Sequence, residues 1–144
     1  MTSENQDGKS RWKISSLMTM VGLAALGFGF LAQTARTVKE QDANQARFTA
    51  WIAEVEKANP TLKRVSSSIK TSFNFFESTR NCSYTYQAPS RNLLTIQCRF
   101  TSGPFSSVRN VLFESTGRNM TRSFDDLEHQ PNLDLKTDFP DVFR

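Results

Sequence analysis

The chain has few of the residues that build catalytic and metal centres. Among 144 residues there are two cysteines, one histidine, two tyrosines and six glycines. No Cys-x-x-Cys pair or paired-histidine motif occurs, and two cysteines with one histidine are too few for closed zinc coordination without carboxylate help. The scattered glycines form no phosphate-cradling loop. A Ser-His-Asp or Cys-His site would have to be built around His129, which lies in an acidic, proline-flanked segment where a surface histidine is the expected role. Asp125, Asp126 and Glu128 lack the alternating ligands and central glycine of a calcium loop and read as a solvated cap. Asn81-Cys82-Ser83 and Asn119-Met120-Thr121 match a glycosylation pattern too short to carry weight outside a eukaryotic host. No repeat or low-complexity tract is present. The expectation is a protein that is not an enzyme and needs neither a metal nor another cofactor.

Charge is absent from one place in particular. Ile14 to Ala32 holds 19 residues without an Asp, Glu, Lys or Arg. At about 1.5 Å of rise per residue, a helix of that length matches the hydrocarbon thickness of a bilayer. The run is apolar all round, unlike a soluble amphipathic helix, and the rest of the chain is too short to wrap it as a core. A cleavable signal peptide is the rival reading, since Lys9, Arg11 and Lys13 precede the run. The absence of a good small-x-small site and the length of the run favour a retained anchor. The same three cations predict a cytoplasmic amino terminus, with Trp12 at the interface. Ser15, Met18, Gly22, Ala25, Gly29 and Ala32 recur at spacings of three and four, a mostly small-residue stripe along which a second membrane helix can approach closely.

Past Ala32 the sequence stays helix-compatible to Ala58, where Asn59-Pro60 stops it. Phe48, Trp51, Ile52 and Val55 form an apolar stripe at helical spacing, expected to lie on a folded domain. Ala43, Ala46, Ala50 and Ala53 form a second row that suits either helix pairing or plain helix propensity. After Pro60, Val65, Ser67, Ile69, Thr71, Phe73 and Phe75 alternate with polar residues, the period of a half-buried strand. A helix capped after Asn59 also fits the first part.

Two strand-like runs, Cys82 to Gln87 and Leu93 to Phe100, flank the turn-rich Pro89-Ser90-Arg91-Asn92. Folding them about Ser90 sets Tyr86 opposite Leu94, Tyr84 opposite Ile96 and Cys82 opposite Cys98. Opposed Cα atoms in an antiparallel pair lie about 4.5 to 5.5 Å apart, within disulfide range. A Cys82–Cys98 disulfide on the exported side of a membrane is therefore expected. The same register puts the tyrosines, Leu94, Ile96 and Phe100 on one face and Thr, Ser, Gln and Arg mostly on the other.

Beyond Gly103-Pro104, the spacing of Phe105, Val108, Val111, Leu112 and Ser115 predicts a helix ended by Gly117, although Val111-Leu112-Phe113 also fits a strand. Met120 to Phe124 reads as an edge strand, and Ser123 with Asp126 as the cap of one helical turn through Glu128. The remainder reads as irregular, with Leu133, Leu135, Phe139, Val142 and Phe143 as docking contacts.

Lys57 to Arg122 carries ten basic residues against two acidic, while Ser123 to Arg144 carries two against six. The anchor and the lack of an aromatic-basic motif argue against nucleic acid. Anionic lipid, a cell-wall polymer or an acidic protein face suits the basic part, unless the acidic tail folds back over it. The sequence therefore predicts an α+β protein in five parts: a cytoplasmic tail (1–13), a transmembrane helix (14–32), a helical stalk (33–58), a small exported domain with a disulfide-linked hairpin and one packed helix (59–124), and an acidic tail (125–144). The expected role is a single-pass bacterial inner-membrane accessory or assembly subunit of an envelope complex. It would contact a membrane-embedded partner, or a second copy of itself, through the helix, and other proteins through its periplasmic domain. A pilin-like or secretion-system subunit and a periplasmic inhibitor or immunity protein are the alternatives. The pilin leader motif is missing.

Overall fold

Nothing in the sequence interrupts helix formation before Pro60, and α1 runs from Asp7 to Ala58. The computed structural model describes residues 7–74, 77–104, 106–130 and 133–144, with side chains from Ile14 onward. Residues 1–6 of the expected tail, the side chains of Lys9, Arg11, Trp12 and Lys13, and Phe75, Phe105 and Pro131 lie outside the described residues. The chain divides into two units, Met1–Arg36 and Thr37–Arg144.

In the first unit every described side chain is exposed. Its most apolar 18-residue window has a mean hydropathy of 1.9, and none of that window is buried, so the helix is long and apolar enough to cross a membrane. Thr19 and Thr34 donate their hydroxyls to the carbonyls of Ser15 and Phe30, both at 2.9 Å. These polar groups are thereby satisfied within the helix, as an apolar solvent requires.

In the second unit α1 turns one face inward, with Gln41, Asn44, Phe48, Trp51 and Val55 buried at alternating spacings of three and four and Ile52 buried beside them. Asn59 ends the helix, its amide and its side chain both donating to the Val55 carbonyl at 3.0 Å. Five strands follow: β1 (Lys63–Phe73), β2 (Ser78–Gln87), β3 (Leu93–Ser102), β4 (Ser107–Ser115) and β5 (Arg118–Ser123). They form an antiparallel meander in chain order. Alternate residues of the three central strands, including Tyr84, Tyr86, Leu94, Ile96, Phe100, Val111 and Phe113, are buried on one face. Phe48 is the hub of this core, its ring 5.9 Å from Tyr84, 5.8 Å from Phe100 and 5.6 Å from Phe124. Burying each such aromatic contributes about 1.5–3 kcal/mol.

Three expectations require correction. The segment read as one packed helix ended by Gly117 is instead β4, a tight turn and β5. Val111 and Phe113 enter the core on a two-residue period, and Gly117, at φ 95°, occupies the left-handed region that lets the chain reverse between Ser115 and Arg118. β1 is a strand but is not half-buried, because all of its positions are exposed. A helix about 10 Å across covers roughly two strand spacings of about 4.8 Å, so α1 shields the middle of the sheet and leaves β1 bare.

The tail is not irregular. It contains α2 (Phe124–Glu128), α3 (Leu135–Asp138) and α4 (Pro140–Phe143). Leu133, Leu135, Phe139 and Val142 are buried, and Phe143 packs against the core. Ser123 is the N-cap of α2 but its side chain makes no capping bond, whereas Asp134 caps α3 by accepting from the amides of Lys136 and Thr137. The acidic segment thus folds back on the sheet. Arg109 pairs with Asp125 at 3.1 Å, Arg122 with Asp138 at 3.3 Å, and Arg118 donates to the Asp138 carbonyl at 2.7 Å.

Candidate functional site

The hairpin register forms as its turn chemistry implies. Ala88 to Asn92 close the connection through two backbone bonds, with Arg91 at φ 68° in the left-handed region. Cys82 then stands opposite Cys98, Tyr84 opposite Ile96 and Tyr86 opposite Leu94. Both cysteines are buried under α1 and carry free thiols, so the expected disulfide is not formed in this structure. The two thiols stand opposite each other across the hairpin and are not equivalent. The neighbouring Cys98 thiol, and then the charge of Arg80, hold Cys82 below the usual thiol range, while burial, and then the neighbouring Cys82, push Cys98 up.

Around this pair, α1 supplies polar partners to the inner face. Gln41, fully buried, donates its amide to the carbonyls of Ser78 at 2.8 Å and Phe100 at 3.1 Å, pinning the ends of β2 and β3 to the helix. Arg80 donates to Asp42 and Gln45, each at 2.7 Å, and to Thr71 at 3.2 Å. Glu56 accepts from Arg64 and, at 2.8 Å, from the buried Tyr86 hydroxyl. Burial and then this bond push the Tyr86 phenol up, so it stays a donor.

The other singled-out positions are separate from this cluster. Gly22, Ala25, Gly29 and Ala32 all lie exposed on the first unit, and a side chain at Gly22 or Gly29 would meet nothing within 4 Å. Ala43, Ala46, Ala50 and Ala53 are exposed on the second. His129 is exposed at the end of α2, and no group of three or more His, Cys, Asp or Glu is arranged to hold a metal among the described residues.

Sequence reasoning missed the most accessible feature of the domain. β1 is 11 residues long and pairs only with β2, so its outer edge presents backbone donors and acceptors without a strand partner among the described residues. Val65, Ile69 and Phe73 are 59%, 49% and 65% exposed along it. The alternation of β1 was visible in the sequence, but nothing local said which strands the helix would cover. Comparison with known protein families, curated proteins and solved structures finds no match to this chain.

Proposed function

We propose that the chain is a single-pass inner-membrane accessory or assembly subunit of a bacterial envelope complex, with its amino terminus cytoplasmic and its sheet domain periplasmic. It acts by contact rather than catalysis. The observation that carries this reading is β1: a long, bare edge strand with apolar side chains is the template to which an extended segment of a partner adds as a sixth strand. The exposed apolar helix supports membrane attachment, and the Gly22, Ala25, Gly29 and Ala32 stripe offers a second contact, to a membrane helix of the partner or of another copy. In the oxidising periplasm Cys82 and Cys98 close into a disulfide that staples the hairpin next to that edge.

Affinity purification of the full chain in mild detergent tests this. A partner is expected in fixed stoichiometry, and it is lost when Ile69→Lys and Phe73→Lys place charge along the edge of a still-folded domain. Recovery of the chain only as a lone monomer, or partner retention by the edge variant, overturns the strand-addition reading.

A further inference from the structure

The face of the sheet turned away from α1 is chemically unlike the rest of the domain. Strand registers align Lys70, Asn81, Arg99 and Asn110 in one lane across β1 to β4, with Ser83 and Gln97 beside them in the next. These residues line a depression of about 650 Å³, a volume in the usual range of ligand sites. No carboxylate and no aromatic ring is among its lining residues. Glu114, two lanes from Lys70, accepts from Gln97 at 3.5 Å.

The charge here is uncompensated. Arg64, Arg80, Arg109 and Arg122 each have a carboxylate within 2.6–3.3 Å. Lys70 and Arg99 have none among the described residues. They lie in the same lane two strand spacings apart, on β1 and β3, which places their backbones about 10 Å apart across the depression. Three side-chain amides between and beside them offer both donors and acceptors.

This chemistry narrows the ligand. Leu112, Cys82 and Cys98 are its apolar lining residues and the other eight are polar or charged, so an apolar molecule finds little continuous apolar surface to rest on. Without an aromatic platform, stacked nucleic-acid bases and the apolar face of a neutral sugar ring have nothing to rest on. A hydrated, polyhydroxylated chain bearing spaced negative groups meets every feature. We propose that this outer face binds an acidic glycan: Lys70 and Arg99 pair with its carboxylate or phosphate groups, while Asn81, Gln97 and Asn110 hydrogen-bond its hydroxyls.

The test titrates the full chain, in uncharged detergent, with a uronic-acid oligosaccharide, a phosphorylated oligosaccharide and a neutral malto-oligosaccharide. Saturable binding of at least one acidic oligosaccharide and none of the neutral one is expected. The Lys70→Gln, Arg99→Gln double variant should weaken binding by about tenfold or more. The Asn81→Ala, Gln97→Ala double variant, at unchanged net charge, should weaken it by about fivefold. All four positions lie on the outer face, and an unchanged thermal unfolding profile confirms that each variant is folded. The proposal is overturned if neither acidic oligosaccharide binds saturably, or if either variant binds like the parent chain. It is equally overturned if polyglutamate or anionic vesicles compete as well as the oligosaccharide, since the face would then read charge alone on a polypeptide or a membrane.

Discussion

The two faces of the five-stranded sheet draw on similar residue types and use them in opposite ways. On the inner face Arg64, Arg80, Arg109 and Arg122 are each matched to a carboxylate, Arg118 bonds the Asp138 carbonyl, and the remaining area is filled by aromatic and aliphatic side chains around Phe48. On the outer face hydroxyls and amides surround Lys70 and Arg99, which have no carboxylate partner among the described residues. The difference follows from what lies above each face. Beneath α1 and the folded-back tail the arginines lie within reach of carboxylates on the helix and the tail and pair with them, in pairs that stay partly exposed. On the open face water screens a charge, and it remains free to meet a ligand. The edges repeat the contrast. β5 is flanked by the tail through Arg118 and Arg122, whereas β1 is bare.

Substitutions that break the inner face should dominate stability. Phe48→Ala removes the ring that touches Trp51, Tyr84, Phe100 and Phe124, and chemical denaturation is expected to show a loss of about 3–5 kcal/mol. Next in size, reducing the proposed Cys82–Cys98 bond reopens a loop of about 15 residues and should cost roughly 3 kcal/mol, read as a denaturation midpoint shift with and without reductant. Alkylation followed by mass measurement reports the bond directly, and thiols that are free in protein taken from the envelope would remove it from the account. Gln41→Ala withdraws the donor from two strand-end carbonyls and should cost about 1–3 kcal/mol, with faster amide exchange at the ends of β2 and β3.

The smallest inner-face effect concerns pH. Arg47 forms a bidentate bond to Glu128 and holds that carboxyl below its ordinary value of 4.5. A lowered carboxylate stabilises the fold above its unfolded value and loses that contribution as pH falls through its folded value. Relative to Glu128→Gln, the chain should therefore be more stable near neutrality by only about 0.2–1 kcal/mol, since the pair is partly exposed. The difference should close as pH drops below about 4.5.

The hairpin was readable residue by residue because its information is local. Ser90 and its neighbours set the turn, and the alternation of Tyr84, Tyr86, Leu94 and Ile96 allows only one register that buries them. The core stripe of α1 was readable from Phe48 onward but not at Gln41 and Asn44. Polar residues look like a solvated turn until their burial is known and, for Gln41, the two carbonyls it bonds. The spacing of Val108, Val111 and Leu112 satisfied a helical period and a strand period alike over so short a run, and Gly117 ends a helix as well as it turns a hairpin.

By itself, then, the sequence determined the uncharged apolar run from Ile14 to Ala32, the opposition of Cys82 and Cys98, and the polar alternation of the hairpin. Each depends on composition or on residues close in the chain. Tertiary structure decided the rest: that 107–115 pairs with β3 instead of coiling, that the acidic tail docks, that β1 stays bare, and that Lys70 and Arg99, 29 positions apart in sequence, share one lane of the sheet on either side of β2. Those outcomes depend on which surface one helix can cover and on contacts between distant segments, and neither is encoded in any local window.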